Sequence, residues 1–325
     1  MTLPDATRPL GEAEAGAAFE ALLGGDFDNA EARDFLLALS LRDETPIEIA
    51  AAIQAIRARM IPVNVPPGAI DVCGTGGDMS NSLNVSTAVA IVVAACGVPV
   101  AKHGNRAASS QAGGADTLEA LGLNLDRASE TAEATLADLG IAFLFAQKHH
   151  PALVRLAPIR KSIARRTIFN LTGPACNPAR VTRQLIGVAR PDFLAVYAEA
   201  LALLGTGDVL LVAGDEPLDE LSVSGPSTML RIGKVPERIV PEDVGLVRHP
   251  LVALRGGDAA FNAAALRRML QGETGAFRDA VLMNAGAALL VAGAVTAIRD
   301  GVEEAAEAID RGLANTLLDC WIAYR

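Results

Sequence analysis

Residues 69–96, AIDVCGTGGDMSNSLNVSTAVAIVVAAC, decide the fold of this chain. They predict a short apolar strand over 69–73, a glycine-rich turn over 74–83 and an apolar helix over 84–96. The alternation continues downstream, with further strands predicted at 98–102, 141–146, 184–189 and 209–213. Because strands that alternate with helices are joined by right-handed crossovers, this order predicts a largely parallel sheet covered by helices on both faces.

The residues before this stretch predict helices only. Thr45-Pro46-Ile47-Glu48 has the residue types of a helix start with a capping box. Three prolines then interrupt the chain just before residue 68, which we interpret as a linker. We therefore predict an α/β protein with a small all-helical N-terminal domain, residues 1–67, and a large α/β domain, residues 68–325, whose mostly parallel central sheet is flanked by helices. Helices from about 150–180 are expected to return to the small domain.

The composition of the 325 residues limits the function. Subtracting 38 acidic from 28 basic side chains gives a net charge of −10, which argues against a nucleic-acid partner but is compatible with a local anion site. The four cysteines lack paired spacing, which indicates free thiols in a reducing compartment. The N-terminus has no apolar signal segment, and the apolar stretches 85–101 and 281–295 are too short or too interrupted to span a bilayer. We expect a cytoplasmic protein that binds neither membrane nor nucleic acid.

The glycine-rich turn is the strongest chemical feature. Gly74-Thr75-Gly76-Gly77-Asp78 directly follows a strand, and Asn84-Val85-Ser86-Thr87 opens the next helix. Glycines let backbone N–H groups approach an anion, and a helix N-terminus adds partial positive charge, so this pattern predicts phosphate binding. The alternative is a tight strand-to-helix turn with a polar cap. The pattern is neither a P-loop nor a dinucleotide fingerprint.

A second polar loop, Lys102-His103-Gly104-Asn105-Arg106, follows the next strand, with Ser109 and Ser110 beyond it. Because the carboxyl ends of parallel strands share one edge of a sheet, this loop should face the glycine-rich turn across a crevice. Two cations, an amide and two hydroxyls then converge where an anion would lie. The alternative is a solvated polar loop.

Two further groups are candidates for binding. The adjacent carboxylates Asp219 and Glu220 suit Mg²⁺, which usually takes one or two carboxylates plus phosphates and waters, although acidic surface loops are common. Pro151 begins a predicted helix with His150 at its N-cap. Arg160, almost three turns further on, can clamp a carboxylate bidentately, although most helix arginines are solvated.

Taken together, these motifs resemble those of the anthranilate phosphoribosyltransferases, within the nucleoside phosphorylase-like phosphoribosyltransferases. The similar runs appear in family order and extend to NAGAALLVAG near the end: GTGGD…SNSLNVSTA, AKHGNRAASS, HHPA…PIRKSIARRTIFNLTGPACNP and LDELS. The nucleoside phosphorylases of the same fold have KHGGR where this chain has Lys102-His-Gly-Asn105-Arg106, so Asn105 separates the two functions.

The resemblance implies a reaction that joins the amine of anthranilate to C1 of phosphoribosyl pyrophosphate (PRPP), releasing pyrophosphate in tryptophan biosynthesis. It implies a homodimer through the helical domain and a requirement for Mg²⁺. No residue is expected to act as a nucleophile, since an aromatic amine is already unprotonated at pH 7 and positioning should supply much of the rate.

The resemblance also assigns residues to each ligand. PRPP contacts are implied for Gly74, Gly77, Asp78, Ser82, Asn84, Val85, Ser86, Thr87, Lys102, His103, Gly104, Asn105, Arg106, Ala107, Ala108, Ser109, Ser110 and Gly114. Anthranilate contacts are implied for Gly74, Asn105 and Arg160, with His103, His150 and Pro151 along its approach. Two Mg²⁺ sites are implied, one at Ser86 and the other at Asp219 and Glu220.

The chain departs from the family pattern at two places. Gly114 stands where the family often has a side-chain donor, so a diphosphate contact there must come from the backbone or be lost. Ala164 replaces the glycine usual before the Arg-Thr pair, which affects how the helix carrying Arg160 ends. Two alternative functions remain at this point: a pyrimidine nucleoside phosphorylase of the same fold, and a non-catalytic paralogue that binds nucleic acid.

Overall fold

A computed structural model of the chain describes residues 3–77, 80–107, 111–163, 165–216 and 218–325. Four of the implied PRPP contacts, Asp78, Ala108, Ser109 and Ser110, lie outside these residues, as does Ala164.

The described residues form a seven-stranded sheet in the order β3-β2-β1-β4-β5-β6-β7. Its strands are β1 (Ile70–Gly74), β2 (Val100–Gly104), β3 (Ile141–Phe145), β4 (Arg183–Gly187), β5 (Asp208–Gly214), β6 (Ser227–Arg231) and β7 (Glu237–Ile239). The first five strands are parallel, with Ile70 of β1 opposite both Val100 and Arg183, and the last two are antiparallel. From β1 the chain adds β2 and β3 on one side of the sheet, and it then adds β4 and β5 on the other side of β1. Open α/β sheets bind their ligands at such a switch point, which here lies between β1 and β4.

Helices cover both faces of the sheet. The helices that follow β1 in the chain are α4 (Val85–Ala95), α5 (Gly114–Ala120), α6 (Leu125–Glu130), α7 (Ala132–Leu139), α8 (Ala146–His149), α9 (Pro151–Ile163), α10 (Ile168–Thr172), α11 (Leu194–Leu203), α12 (Ala259–Leu270), α13 (Ala276–Ala292), α14 (Ile298–Asp310) and α15 (Leu313–Ala323). The face of the sheet away from the helical domain carries α4 and the C-terminal helices. Glycines let α13 and α14 cross closely, since a Cβ on Gly301 would lie 2.8 Å from the Cα of Gly286. None of the described helices is long and apolar enough to cross a membrane.

The N-terminal residues form α1 (Glu12–Gly24), α2 (Asn29–Arg42) and α3 (Pro46–Arg57). Helix α9 packs against α1 and α2, and α10 packs against α2 and α3. Their shared core includes the fully buried Leu36, Ile53 and Leu156. The predicted fold class, a helical N-terminal part and a large, mostly parallel α/β part, is confirmed.

The start of α3 is the predicted capping box. Thr45 Oγ1 accepts a hydrogen bond from the Glu48 N–H at 3.3 Å, and Glu48 accepts one from the Thr45 N–H at 2.8 Å. The Glu48 carboxylate is fully buried and also accepts hydrogen bonds from the Leu10 N–H and the Arg42 guanidinium. These bonds outweigh the effect of burial and lower the pKa of Glu48. One carboxylate therefore joins the N-terminal segment to α2 and α3.

Strands β2, β6 and β7 differ from the sequence prediction. Strand β2 begins at Val100, two residues after the predicted start at 98, because Gly97 to Pro99 form the turn that leads into it. The antiparallel pair β6–β7 was not predicted. Its strands are short and carry exposed charged side chains such as Glu237, so they lack the apolar run on which the prediction of strands depended.

Candidate active site

Four neighbouring parallel strands end in glycine at one edge of the sheet: β1 at Gly74, β2 at Gly104, β4 at Gly187 and β5 at Gly214. This edge contains the point where the chain direction reverses, and the three loops singled out in the sequence all leave from it. The parallel order therefore brings together residues that are more than a hundred positions apart in the chain.

The turn that carries Asp219 lies directly against these glycines. A Cβ on Gly187 would lie 1.5 Å from the carbonyl oxygen of Asp219, and a Cβ on Gly74 would lie 2.1 Å from its Oδ2. The Gly76 N–H donates a hydrogen bond to Asp219 Oδ2 at 2.7 Å. Gly76 and Gly77 both have a positive φ, a conformation that favours glycine. The acidic turn and the glycine-rich turn, predicted separately, thus form one unit.

Lys102 extends from β2 beneath this unit. Its ammonium donates to the Val72 carbonyl oxygen at 2.8 Å and to Ser86 Oγ at 3.3 Å, and the residue is 4% exposed. Burial lowers the pKa of Lys102, while the nearby carboxylate of Asp71 raises it. The lysine is therefore a buried cation between two strands and the first turn of α4.

Asp71 is a site residue that sequence analysis missed. It is fully buried on β1, accepts a hydrogen bond from the His103 N–H at 3.1 Å, and lies 3.3 Å from Cys73 Sγ. Burial raises the pKa of its carboxyl, and Lys102 opposes that shift. The signal was available in the sequence, because a carboxylate inside an apolar strand needs a buried partner.

A small cavity lies between the first turn of α4 and the acidic turn, and its lining includes Ser86, Asp219, Glu220 and Asn284. The donors of the first three are two carboxylates and a hydroxyl, the oxygen ligands that Mg²⁺ prefers. No group of three or more His, Cys, Asp or Glu side chains that could hold a metal occurs among the described residues. A cation here would therefore complete its shell with substrate oxygens and water, as Mg²⁺ usually does.

Arg106, one of the residues implied to contact the diphosphate, is paired with acidic side chains in the structure. Arg106 is paired with Asp116 at 2.9 Å and with Glu119, and its guanidinium lies over Phe145. The Ala107 N–H donates to Asp116 at 2.9 Å. The Nη1 group of Arg106 is therefore engaged by two carboxylates.

Other residues of this set line the turns through their backbone. Val85 is buried as the first residue of α4, and Ser82 forms an isolated bridge with Arg255. A Cβ on Gly114 would lie 2.8 Å from Thr87 Oγ1, so a larger residue at 114 would displace that hydroxyl. The departure at Gly114 consequently leaves room for the Thr87 side chain.

A pair of buried histidines connects this edge to α9. His103 Nδ1 lies 3.1 Å from the Gly173 carbonyl oxygen, which can only accept, so in the neutral ring this nitrogen carries the proton. His103 Nε2 is then the acceptor for His150 Nε2, which lies 3.2 Å away. Burial lowers the pKa of His103 to about 3 and that of His150 to about 4, so both rings are neutral at pH 7.

Arg160 lies further along α9, beyond His150 and Pro151. Its guanidinium is 5.7 Å from the ring centre of Phe169, and burial lowers its pKa. No ion pair with Arg160 occurs within the described ranges. The partly desolvated guanidinium of Arg160, lying on an aromatic face, is well suited to a carboxylate.

Asn105 lies on the loop that follows β2. Its Oδ1 accepts a hydrogen bond from the Arg106 N–H at 2.8 Å, and the Gln147 amide nitrogen lies 3.4 Å from the same oxygen.

Two family models match the chain in sequence order. The model described as "Glycosyl transferase family, helical bundle domain" matches residues 5–60, and "Glycosyl transferase family, a/b domain" matches residues 66–315. The fold and these two matches, which together span most of the chain, define a glycosyltransferase.

Similarity to individual proteins shows which family of glycosyltransferases the chain belongs to. The anthranilate phosphoribosyltransferase of Novosphingobium aromaticivorans is 61% identical over 99% of this chain and 98% of its own length. The crystal structure of the Thermus thermophilus enzyme superposes with a TM-score of 0.91 at 43% identity, covering 98% of this chain and 99% of that one. The Saccharomyces cerevisiae enzyme in complex with PRPP and Mg superposes with a TM-score of 0.89 at 28% identity, covering 97% and 93%. The chain belongs to the anthranilate phosphoribosyltransferase family, which confirms the resemblance found in the motifs.

Proposed function

We propose that the protein transfers the phosphoribosyl group of PRPP to the amine of anthranilate, giving N-(5-phosphoribosyl)anthranilate and pyrophosphate. The observation that carries the proposal is the convergence of three loops at one edge of the sheet, where Gly76 donates to Asp219 and Lys102 donates toward Ser86. The name of the family supports the same reaction.

The diphosphate of PRPP would bind at the glycine-rich turn and the first turn of α4. Backbone N–H groups and the start of a helix favour an anion there, and the buried amine of Lys102 adds hydrogen-bond donors. This half of the site would be lined by Gly74, Gly77, Ser86, Thr87 and the backbone of 104–107. Stabilising the charge on the departing pyrophosphate is the main task of this half.

Anthranilate would bind at the other half, on α9. Arg160 supplies a desolvated guanidinium for the carboxylate, and Phe169 holds that guanidinium from one side. Asn105, with His103, His150 and Pro151, would border the approach to PRPP. Because His103 joins β2 to the start of α9 through His150, the two halves have a direct link.

The chemistry needs little covalent help from the protein. The C1–O bond to pyrophosphate breaks with its electron pair on oxygen, the amine nitrogen forms the new bond to C1, and the nitrogen then releases a proton. We propose that no residue forms an adduct with the sugar, so that orientation and charge stabilisation supply the rate. Trapping a ribosyl–enzyme adduct by rapid quench and intact mass would contradict this.

The oxygen donors at this edge fit Mg²⁺. We propose one cation at Ser86 and a second at Asp219 and Glu220, close to where the diphosphate would lie. When bound, Mg²⁺ supplies positive charge to the diphosphate oxygens. The PRPP and Mg in the complex of the yeast relative support a role for the cation, and the number of ions stays part of the proposal.

The assembly is also proposed rather than observed. We propose a cytoplasmic homodimer formed through the helical domain, residues 1–67 with α9 and α10, while residues 68–325 form the PRPP-binding domain. Exposed apolar side chains on its helices, Leu41 and Val154, support a buried surface there. Sedimentation equilibrium showing a monomer at micromolar concentration would contradict the dimer.

The direct test is the loss of anthranilate fluorescence with PRPP and MgCl₂, with controls that omit each component. The proposal expects a loss that requires all three together. Phosphate-dependent cleavage of uridine or thymidine without anthranilate activity would favour the phosphorylase alternative instead. A salt-sensitive gel shift with nucleic acid, again without transferase activity, would favour the non-catalytic one.

A further inference from the structure

The side chain of Asn84 is a junction between four segments of the large domain. Its Nδ2 donates to the Ala112 carbonyl oxygen at 3.1 Å, and its Oδ1 accepts from Thr117 Oγ1 on α5 and from Asn262 Nδ2 on α12, the latter at 2.9 Å. Asn84 stands at the N-cap position of α4, yet its side chain makes no capping hydrogen bond. Its amide therefore joins the turn to other elements and leaves one N–H for a ligand.

Two main-chain groups fix the orientation of both amides. The Gly257 N–H, which can only donate, lies 2.9 Å from Asn262 Oδ1, so the Nδ2 of Asn262 must face Asn84. That Nδ2 can only donate, so the atom of Asn84 that it meets is the oxygen. The remaining Nδ2 of Asn84 then faces the Ala112 carbonyl oxygen, which can only accept. The amides thus form one chain of consistent polarity between two backbone anchors.

This chain of amides braces the turn that leads into α4. The segment 254–257 lies along 81–83, with hydrogen bonds from the Leu83 N–H to the Leu254 carbonyl at 2.9 Å and from the Gly256 N–H to the Asn81 carbonyl at 2.8 Å. Asn262 holds this segment through Gly257 and holds the turn through Asn84. Thr117, fully buried, holds the same oxygen from the opposite helix.

We propose that Asn262 and Thr117 are positioning residues for PRPP, because they hold the Asn84 amide and, through it, the turn that presents the first residues of α4 to the diphosphate. This inference rests on the proposed function. Neither residue is placed against a substrate: each acts by setting where Asn84 and the backbone of 81–87 lie. Arg160 lies on α9, which packs against α1 and α2, whereas Thr117 and Asn262 lie on α5 and α12. Their effect should therefore fall on PRPP and leave anthranilate binding unchanged.

The experiment compares four single variants and one double variant with the unmodified protein. Thr117→Val keeps the shape of the side chain and removes its donor, whereas Thr117→Ser keeps the donor. Asn262→Ala removes both hydrogen bonds of that amide. Asn315→Ala is the matched control: this half-buried asparagine on α15 bonds through its amide to Asp319 and to Arg267. For each, calorimetry gives the Kd for PRPP with Mg²⁺, steady-state kinetics give both KM values, and urea unfolding gives the stability.

The proposal expects the PRPP Kd to rise about tenfold in Thr117→Val and in Asn262→Ala, with the anthranilate KM within about twofold of the unmodified protein. Thr117→Ser should bind PRPP as the unmodified protein does. The Thr117→Val, Asn262→Ala double variant should lose less than the product of the two single effects, since both act through one oxygen.

Unchanged PRPP affinity in both single variants would overturn the proposal, as would equal losses in Thr117→Val and Thr117→Ser. If Asn262→Ala unfolds, the comparison of Thr117→Val with Thr117→Ser still decides, because the first replaces the hydroxyl of Thr117 by a methyl group and the second keeps the hydroxyl. If Thr117→Val unfolds, the PRPP affinity of Asn262→Ala decides. An unmodified protein that neither binds PRPP nor consumes anthranilate would instead refute the proposed function.

Discussion

The buried histidine pair predicts a specific loss of stability in acid. The chain has four histidines, and burial lowers the pKa of His150 from 6.5 to about 4. As pH falls, the imidazole of His150 binds a proton in the unfolded chain before it does so in the folded protein, which favours unfolding. The free energy of unfolding is therefore unaffected by this group above pH 6.5 and decreases as pH falls from 6.5 toward 4. Between pH 7.5 and pH 5 the linkage relation gives ~2 kcal/mol of lost unfolding free energy for His150 alone.

The perturbation that isolates this contribution is His150→Gln, which keeps an amide donor toward His103 and cannot titrate. Urea unfolding followed by the fluorescence of the single tryptophan, Trp321, gives the free energy at each pH. Burial raises the pKa of Glu44 and of Asp71, which has the opposite effect on stability, but both groups are present in either protein and cancel in the comparison.

The expected result is a variant whose stability falls less steeply, so that the difference between the two proteins changes by ~2 kcal/mol between pH 7.5 and pH 5. Measurements at pH 7.5, where His150 is neutral in both states, set the reference. A difference that stays constant across this range would refute the placement of a neutral, buried His150 against His103.

Three further predictions follow from single contacts. Arg160→Lys keeps the charge and loses the bidentate fork, so the anthranilate KM should rise about tenfold while the PRPP KM stays constant; equal rises in both would contradict its role. Gly187→Ala must displace the acidic turn, because its Cβ would lie 1.5 Å from the Asp219 carbonyl oxygen. A loss of about 100-fold in kcat/KM is expected, with Gly16→Ala in open space as the unaffected control. Glu48→Ala should lower the unfolding free energy by about 3 kcal/mol in urea, since it leaves buried donors unpaired, and a loss below 1 kcal/mol would contradict this.

Much of the fold could be predicted because local patterns and tertiary structure agree. The capping box at Thr45 and Glu48, the apolar α4 and the alternation of strands with helices each have a signal within a few residues. The β6–β7 pair had none: β6 is stabilised by pairing with β5, and β7 by pairing with β6, and these are contacts that no local window contains. Tertiary pairing decides such strands more than propensity does.

In the candidate site, too, some features could be predicted from local sequence and others depend on tertiary contacts. The residue types at each loop indicated anion and cation binding, and parallel topology brought Gly76 and Asp219 together. Spacing could not reveal which groups a side chain contacts. Arg106 is held by Asp116 and Glu119, and the Asn84 amide is held by Thr117 and Asn262, because these partners come from later helices.

Asp71 was missed for a different reason. The apolar neighbours of Asp71 predict the strand at 69–73, and their pattern does not indicate what the carboxylate contacts. In the structure it is fully buried beside the buried Lys102 and accepts the His103 N–H. A single ionisable residue inside a predicted core strand therefore indicates buried polar groups around it, which here are the His103 N–H and, through its charge, Lys102.

The central claim is that PRPP and anthranilate react directly with each other at this edge of the sheet. The most direct measurement follows pyrophosphate release and anthranilate consumption in one reaction with Mg²⁺, then repeats the release without anthranilate. The account predicts one pyrophosphate for each anthranilate consumed, and no release above the uncatalysed rate when anthranilate is omitted. Rapid release of pyrophosphate without anthranilate would contradict it, because it would mean that water or a protein group attacks the sugar.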